Sequence, residues 1–157
     1  PGQPLTSATT YDYIEHVAGI SRPMIKKALK KLDELNIIEI EENELNLKTK
    51  IYRFNEFGGG WAKVPRLKIL NNLKNIQTRG KAPLSALKIY ITLLTFRSHK
   101  TRRTTIGHDR IRTYTGLQGN EIRMGLDILV NHGFIHITQQ EDRKGNIYEL
   151  LGITEES

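Results

Sequence analysis

Apolar positions along this chain fall into the same order twice. Residues 9–40 (TTYDYIEHVAGISRPMIKKALKKLDELNIIEI) and residues 106–137 (IGHDRIRTYTGLQGNEIRMGLDILVNHGFIHI) align without a gap at a constant offset of 97. Ile14 falls on Ile111, Gly19 on Gly116, Ile20 on Leu117, Ile25 on Ile122, Ala28 on Gly125, Leu29 on Leu126, Leu32 on Leu129, and Ile38 and Ile40 on Ile135 and Ile137. A repeat at fixed spacing marks one structural unit used twice. In each copy a short amphipathic helix is predicted over residues 11–17 or 108–114. It ends at Gly19 or Gly116, which can take positive φ for a tight turn. A second helix starts at Ser21 or near Gln118. Ile25, Ala28, Leu29 and Leu32 obey the i, i+3, i+4, i+7 spacing of one buried stripe. The small Ala28 or Gly125 is expected where the two helices cross. Asn36 or Gly133 ends the helix, and β-rich runs follow, IIEI in one copy and FIHI in the other.

The remaining pattern fills in around these copies. Residues 1–10 are polar and rich in breakers, with no helix of their own. Residues 37–41 and 45–54, joined by Glu42-Asn43-Glu44, read as a hairpin in which Leu45, Leu47, Thr49 and Ile51 alternate with polar residues. Its acidic tip does not suit a phosphate backbone. Phe57 and the glycines at 58–60 read as a hinge. No Gly-Lys-Ser/Thr follows them, so a phosphate-cradling loop is not supported. WAKVP is expected to add a short strand. Residues 66–76 carry Leu67, Leu70, Leu73 and Ile76 on one stripe, a connecting helix. Residues 84–96 (LSALKIYITLLTF) form a strong helix that should cover the second copy. Its twin would fall at positions −13 to −1. Hence either the chain is a fragment or another segment, such as residues 66–76, closes the first copy, since open apolar surface is costly. The second hairpin runs over residues 134–138, a tip QQEDRKGN, and IYELLGI. The division is a first unit at 1–56, hinge and connecting helix at 57–83, and a second unit at 84–157.

Helix, glycine turn, helix, then strand hairpin resembles the winged helix-turn-helix, the DNA-binding unit of bacterial repressors and of plasmid or phage replication initiators. The resemblance covers most of the chain. It implies a mainly α fold with small β-hairpin wings (α+β), as tandem winged helix-turn-helix domains. It further implies sequence-specific binding of double-stranded DNA, in replication initiation or transcriptional control of a plasmid, phage or other mobile element. The chain departs from initiators in lacking the first covering helix.

Charge supports a polyanionic partner and localises it. The formal net charge is +7; through Glu56 there are 8 basic against 9 acidic residues, and from Phe57 onward 16 against 8. Zero cysteines exclude disulfides and thiolate metal sites and fit a reducing cytoplasm. No apolar run is long enough to span a bilayer, and no signal peptide is apparent. His132 and His136 are separated by a glycine turn and lack a third ligand, so neither a metal nor another cofactor is expected. No serine, histidine and acid group as a nucleophile would require, and the acids are dispersed, so an enzyme is not expected.

Within the resemblance, the second helix enters the major groove by its N-terminal half. Ser21, Arg22, Lys26, Lys27, Lys30 and Lys31 are the first copy's candidates. Arginine can pair with guanine edges, and lysines neutralise phosphates. In the second copy Gln118, Asn120 and Arg123 are the base-reading candidates, and Glu121 and Asp127 oppose phosphates. Arg102, Arg103, Thr104 and Thr105, in the basic loop before that copy, are expected to position the backbone, with Arg143 and Lys144 at the wing tip. Met124 and Ile128, four residues apart, read as an exposed apolar pair. They suit a protein partner, a second copy of the chain included, as well as thymine methyls. The competing function is a protein-interaction module that uses the same fold without DNA.

Overall fold

The computed structural model describes residues 5–55, 64–76, 80–98, 100–139 and 145–153. The chain divides into two compact units, residues 1–60 and 61–157. Among the described residues there are six α-helices and two small antiparallel three-stranded sheets.

The first unit runs β1 (Thr6–Thr10), α1 (Tyr11–Ala18), α2 (Arg22–Glu34), β2 (Ile38–Glu42) and β3 (Thr49–Phe54). The second begins with α3 (Arg66–Asn72), a 3-10 turn at Leu73–Asn75 and α4 (Lys81–Phe96). It then repeats the plan as β4 (Arg103–Ile106), α5 (His108–Thr115), α6 (Gly119–Asn131), β5 (Ile135–Gln139) and β6 (Asn146–Leu150). The sheets have the same strand order, β1-β3-β2 and β4-β6-β5. Their register agrees as well: Ser7 lies opposite Tyr52 as Thr104 lies opposite Tyr148, and Ile38 opposite Phe54 as Ile135 opposite Leu150. The duplication seen in the apolar pattern is therefore repeated in strand order and register.

The turns follow the sequence chemistry. Gly19 and Gly116 close α1 and α5 in the left-handed region, at φ 66° and 70°. Asn36 and Gly133 do the same after α2 and α6, at φ 56° and 63°. Asn36 is the sole non-glycine residue among those described to take positive φ, a conformation asparagine tolerates better than most.

Two strands depart from expectation. Residues 6–10 and 103–106, whose sequences suggest a polar entry and a basic loop, are both edge strands. Thr10 also caps α1, its hydroxyl accepting the Tyr13 amide at 3.1 Å. The first wing is shorter than its alternation suggests. Asn43 and Asn46 side chains accept the amides of Leu45 and Lys48 at 3.0 and 3.1 Å, which turns the backbone locally. Leu45 and Leu47 are consequently 98% and 75% exposed, and pairing starts at Thr49. Of WAKVP, residues 61–63 lie outside the described set, and Val64 and Pro65 join no strand.

The two cores differ in depth. In the second unit Ile89, Leu93, Ile111, Ile122, Leu129, Phe134, Tyr148 and Leu150 are buried together, with Tyr90 packed edge-on to Phe134 at 5.2 Å. Ile76 belongs to this cluster and Ile69 packs against it, so residues 66–76 serve the second unit. The small residue of α6 is placed differently from expectation. A Cβ on Gly125 would lie 2.7 Å from Ile89 Cδ1 and 3.0 Å from the Ala86 nitrogen. Its smallness thus admits the covering helix α4; it is not there for the α5–α6 crossing. In the first unit the buried apolar residues among those described are Ile25, Ile38 and Tyr52, and Ala28 is exposed.

Candidate nucleic-acid interface

The outward face of each second helix is fixed by what its inward face buries. With Ile25 buried and Leu29 and Leu32 half-buried, the rotation of about 100° per residue places Lys27, Lys30 and Lys31 on the opposite side of α2, with Lys26 at the edge of the buried stripe. All four lysines are exposed. Pro23 lies in the first turn of α2, where its missing N–H costs nothing. Ser21 is the N-cap residue, and its side chain makes no capping bond.

Ion pairs then sort the cations. Arg22 reaches back to α1, paired with Asp12 and, at 3.5 Å, with Glu15. The pair links the two helices while the Arg22 side chain stays exposed. Lys30 and Lys31 share Glu34 at 3.9 and 3.5 Å; these pairs are exposed and weak. Lys26 and Lys27 have no partner among the described residues. The wing's acids are similarly occupied. Glu42 pairs with Lys50, and Arg53 pairs with Glu41 at 2.6 Å and Glu39 at 4.0 Å, across β2 and β3.

In α6 the front is organised by capping. The Gln118 amide donates to Glu121 Oε2 at 2.8 Å, and the Glu121 amide to Asn120 Oδ1 at 2.9 Å. The Glu121 carboxylate is therefore engaged at the helix start and does not stand out towards a phosphate. Gln118, Asn120, Arg123 and Asp127 are exposed, and Arg123 has no partner among the described residues. Met124 is 43% exposed, whereas Ile128 is half-buried and packs against the core. They do not make an outward apolar pair. With His132 they line a cleft of about 510 Å³ against Lys81, Ala82 and Pro83 at the start of α4.

The residues expected to position the backbone are in or beside β4. Arg102 and Arg103 both pair with Glu149 of β6, at 3.4 and 3.3 Å. Thr104 is buried and donates its hydroxyl to the Phe96 carbonyl at 3.1 Å, so it does not belong to a contact surface. Thr105 is exposed. Arg143 and Lys144 lie outside the described residues. One grouping was not anticipated: Arg110 stacks over Phe96 at 4.5 Å, and Phe96 meets the exposed Tyr114 edge-on at 4.7 Å. It arises from the end of α4 meeting α5, which no single stretch of sequence displays. Arg112 pairs with Asp109 at 3.8 Å.

Among the described residues no group of three metal-ligating side chains occurs, and no helix is long and apolar enough to cross a membrane. No family model, curated protein or solved structure matches the chain.

Proposed function

We propose that the chain binds double-stranded DNA sequence-specifically as a tandem winged helix-turn-helix protein, in replication initiation or transcriptional control of a bacterial plasmid, phage or other mobile element. One observation carries the proposal. In both units the helix after the glycine turn directs its apolar stripe inward, fully buried in α6 and partly buried in α2, and offers polar groups outward. After local ion pairs are subtracted, Lys26 and Lys27 remain in the first copy, and Asn120 and Arg123 in the second. Lysines suit phosphates, while an amide and a guanidinium suit base edges. Ser21, Lys30 and Lys31 share α2 or its start with the first pair and Gln118 caps α6 beside the second, Thr105 is exposed on β4, and the exposed ion pairs of Lys30 and Lys31 yield readily to phosphate.

Selection of bound fragments from a random duplex pool, repeated with single variants, tests the proposal. Lys27→Ala lowers retention of all sequences alike. Asn120→Ala relaxes preference at one position, by about 1–3 kcal/mol of discrimination. A pool that emerges unenriched contradicts sequence-specific binding. A chain that retains no duplex at all favours the alternative, a protein-interaction module.

A further inference from the structure

The end of α4 carries a buried cation without a counter-charge. Arg97 is the C-cap residue of α4 and is 9% exposed. Among the described residues its side chain makes no ion pair and no hydrogen bond, and its Nε is sealed from solvent without an acceptor. An arginine at a helix end ordinarily donates to the last carbonyls. Here the Phe96 carbonyl already accepts the Thr104 hydroxyl at 3.1 Å. Seven residues earlier, on the same side of the helix, Tyr90 is 4% exposed and its hydroxyl also lacks a partner. The two groups feel each other, Arg97 offsetting part of the rise that burial gives the Tyr90 hydroxyl. Neighbouring buried donors without an acceptor are costly. No described acid answers them: Glu149 of β6 pairs with Arg102 and Arg103, and Lys100 is exposed with no carboxylate among the described residues.

We propose that Arg97 and the Tyr90 hydroxyl form a binding site for one free phosphate-class oxyanion at the α4–β4 connection. The donors select the ligand. A guanidinium presents its N–H groups as a fixed fork that matches phosphate oxygens two at a time, and the phenol adds another donor. Phosphate can accept from all of them together, and its charge answers both Arg97 and Lys100, which a single carboxylate does not. Burial selects for size. With Arg97 only 9% exposed, a small anion reaches it, whereas duplex phosphates, spaced along a broad cylinder, stay at the surface. The site is thus separate from the DNA contacts assigned to α2 and α6 and does not rest on them. Tyr90 packs edge-on to Phe134 in the core, so an anion held by Arg97 and Tyr90 links occupancy to the stability of the second unit.

Inorganic phosphate is the probe, titrated into the full chain with chloride holding ionic strength constant. The Arg97 Nε–H resonance in proton–nitrogen NMR should shift saturably. At about ten times its dissociation constant, phosphate should raise the folding equilibrium constant of the second unit about tenfold. Phosphate also stabilises proteins by exclusion from their surface, so the quantity read is the excess over Arg97→Met, in which the specific part is lost. Tyr90→Phe removes one donor and should weaken phosphate binding about tenfold; it keeps the comparison open where Arg97→Met does not fold. Absence of a saturable shift overturns the proposal, as does equal stabilisation of Arg97→Met. Glu155 and Glu156 lie outside the described residues. If replacing both with glutamine creates a phosphate response that the unsubstituted chain lacks, the acceptor is the chain's own carboxylate and the proposal falls. A shift produced by duplex and not by phosphate overturns it in favour of a backbone contact. Lys27→Ala, which tests the DNA proposal, should leave the phosphate titration unchanged, so the two can fail separately.

Discussion

Glu121 places an acid at the front of α6, where repulsion of phosphate would be expected from the sequence alone. Its carboxylate instead accepts the Gln118 amide at 2.8 Å. Glu121→Ala should therefore destabilise the chain by about 0.5–2 kcal/mol, the usual cost of a lost cap. Thermal unfolding measures this, and duplex affinity at matched folding should change little. A large gain in affinity without loss of stability would restore the acid to the binding face. Tyr90 makes a second residue-level prediction. Burial pushes its hydroxyl up from 10.0 to about 12, partly offset by Arg97. The native state thus holds the phenolic proton more tightly than the unfolded chain does. Stability from this group is complete below pH 10 and is lost as pH rises towards about 12. Tyr90→Phe should flatten that part of the stability–pH curve; an unchanged curve contradicts the assignment. Side-chain commitments of this kind were not legible in the sequence. Arg22, Arg102 and Arg103 looked like free cations because their partners, Asp12, Glu15 and Glu149, meet them only after folding.

At the scale of elements, the helices were legible because a 3.6-residue apolar period and a terminal glycine act locally. The edge strands were not. TSATT and RTTI lack a clear alternation, and they become strands by pairing with β3 and β6. The wing failed the other way: Leu45 and Leu47 alternate well, but two asparagine side chains turn the chain first. The paired positions 28 and 125 test the packing account. Gly125→Ala should lower stability by about 1–3 kcal/mol through overpacking against Ile89 and the α4 backbone. Ala28→Gly should cost about 1 kcal/mol, from helix propensity alone. Urea unfolding monitored separately in each unit checks both, and a stabilised Gly125→Ala would contradict the α4–α6 contact.

The whole molecule repeats one β-α-α-β-β plan with matching strand order and register, but it distributes chemistry unequally between the copies. The first offers lysines on α2. The second offers amides and Arg123 on α6, beneath a full core. If both units contact a duplex as proposed, joining them on one chain would raise overall affinity through effective concentration. The excess of positive charge after Glu56 adds long-range attraction that salt should screen. The same logic sets the decisive measurement, a salt titration of duplex binding by the full chain. If about five phosphates are neutralised, log affinity should fall against log salt with a slope of about −4.5, and removing Lys26 and Lys27 together should make that slope shallower by about 2. A slope near zero, or one untouched by the double substitution, would contradict the claim that α2 lies against a duplex.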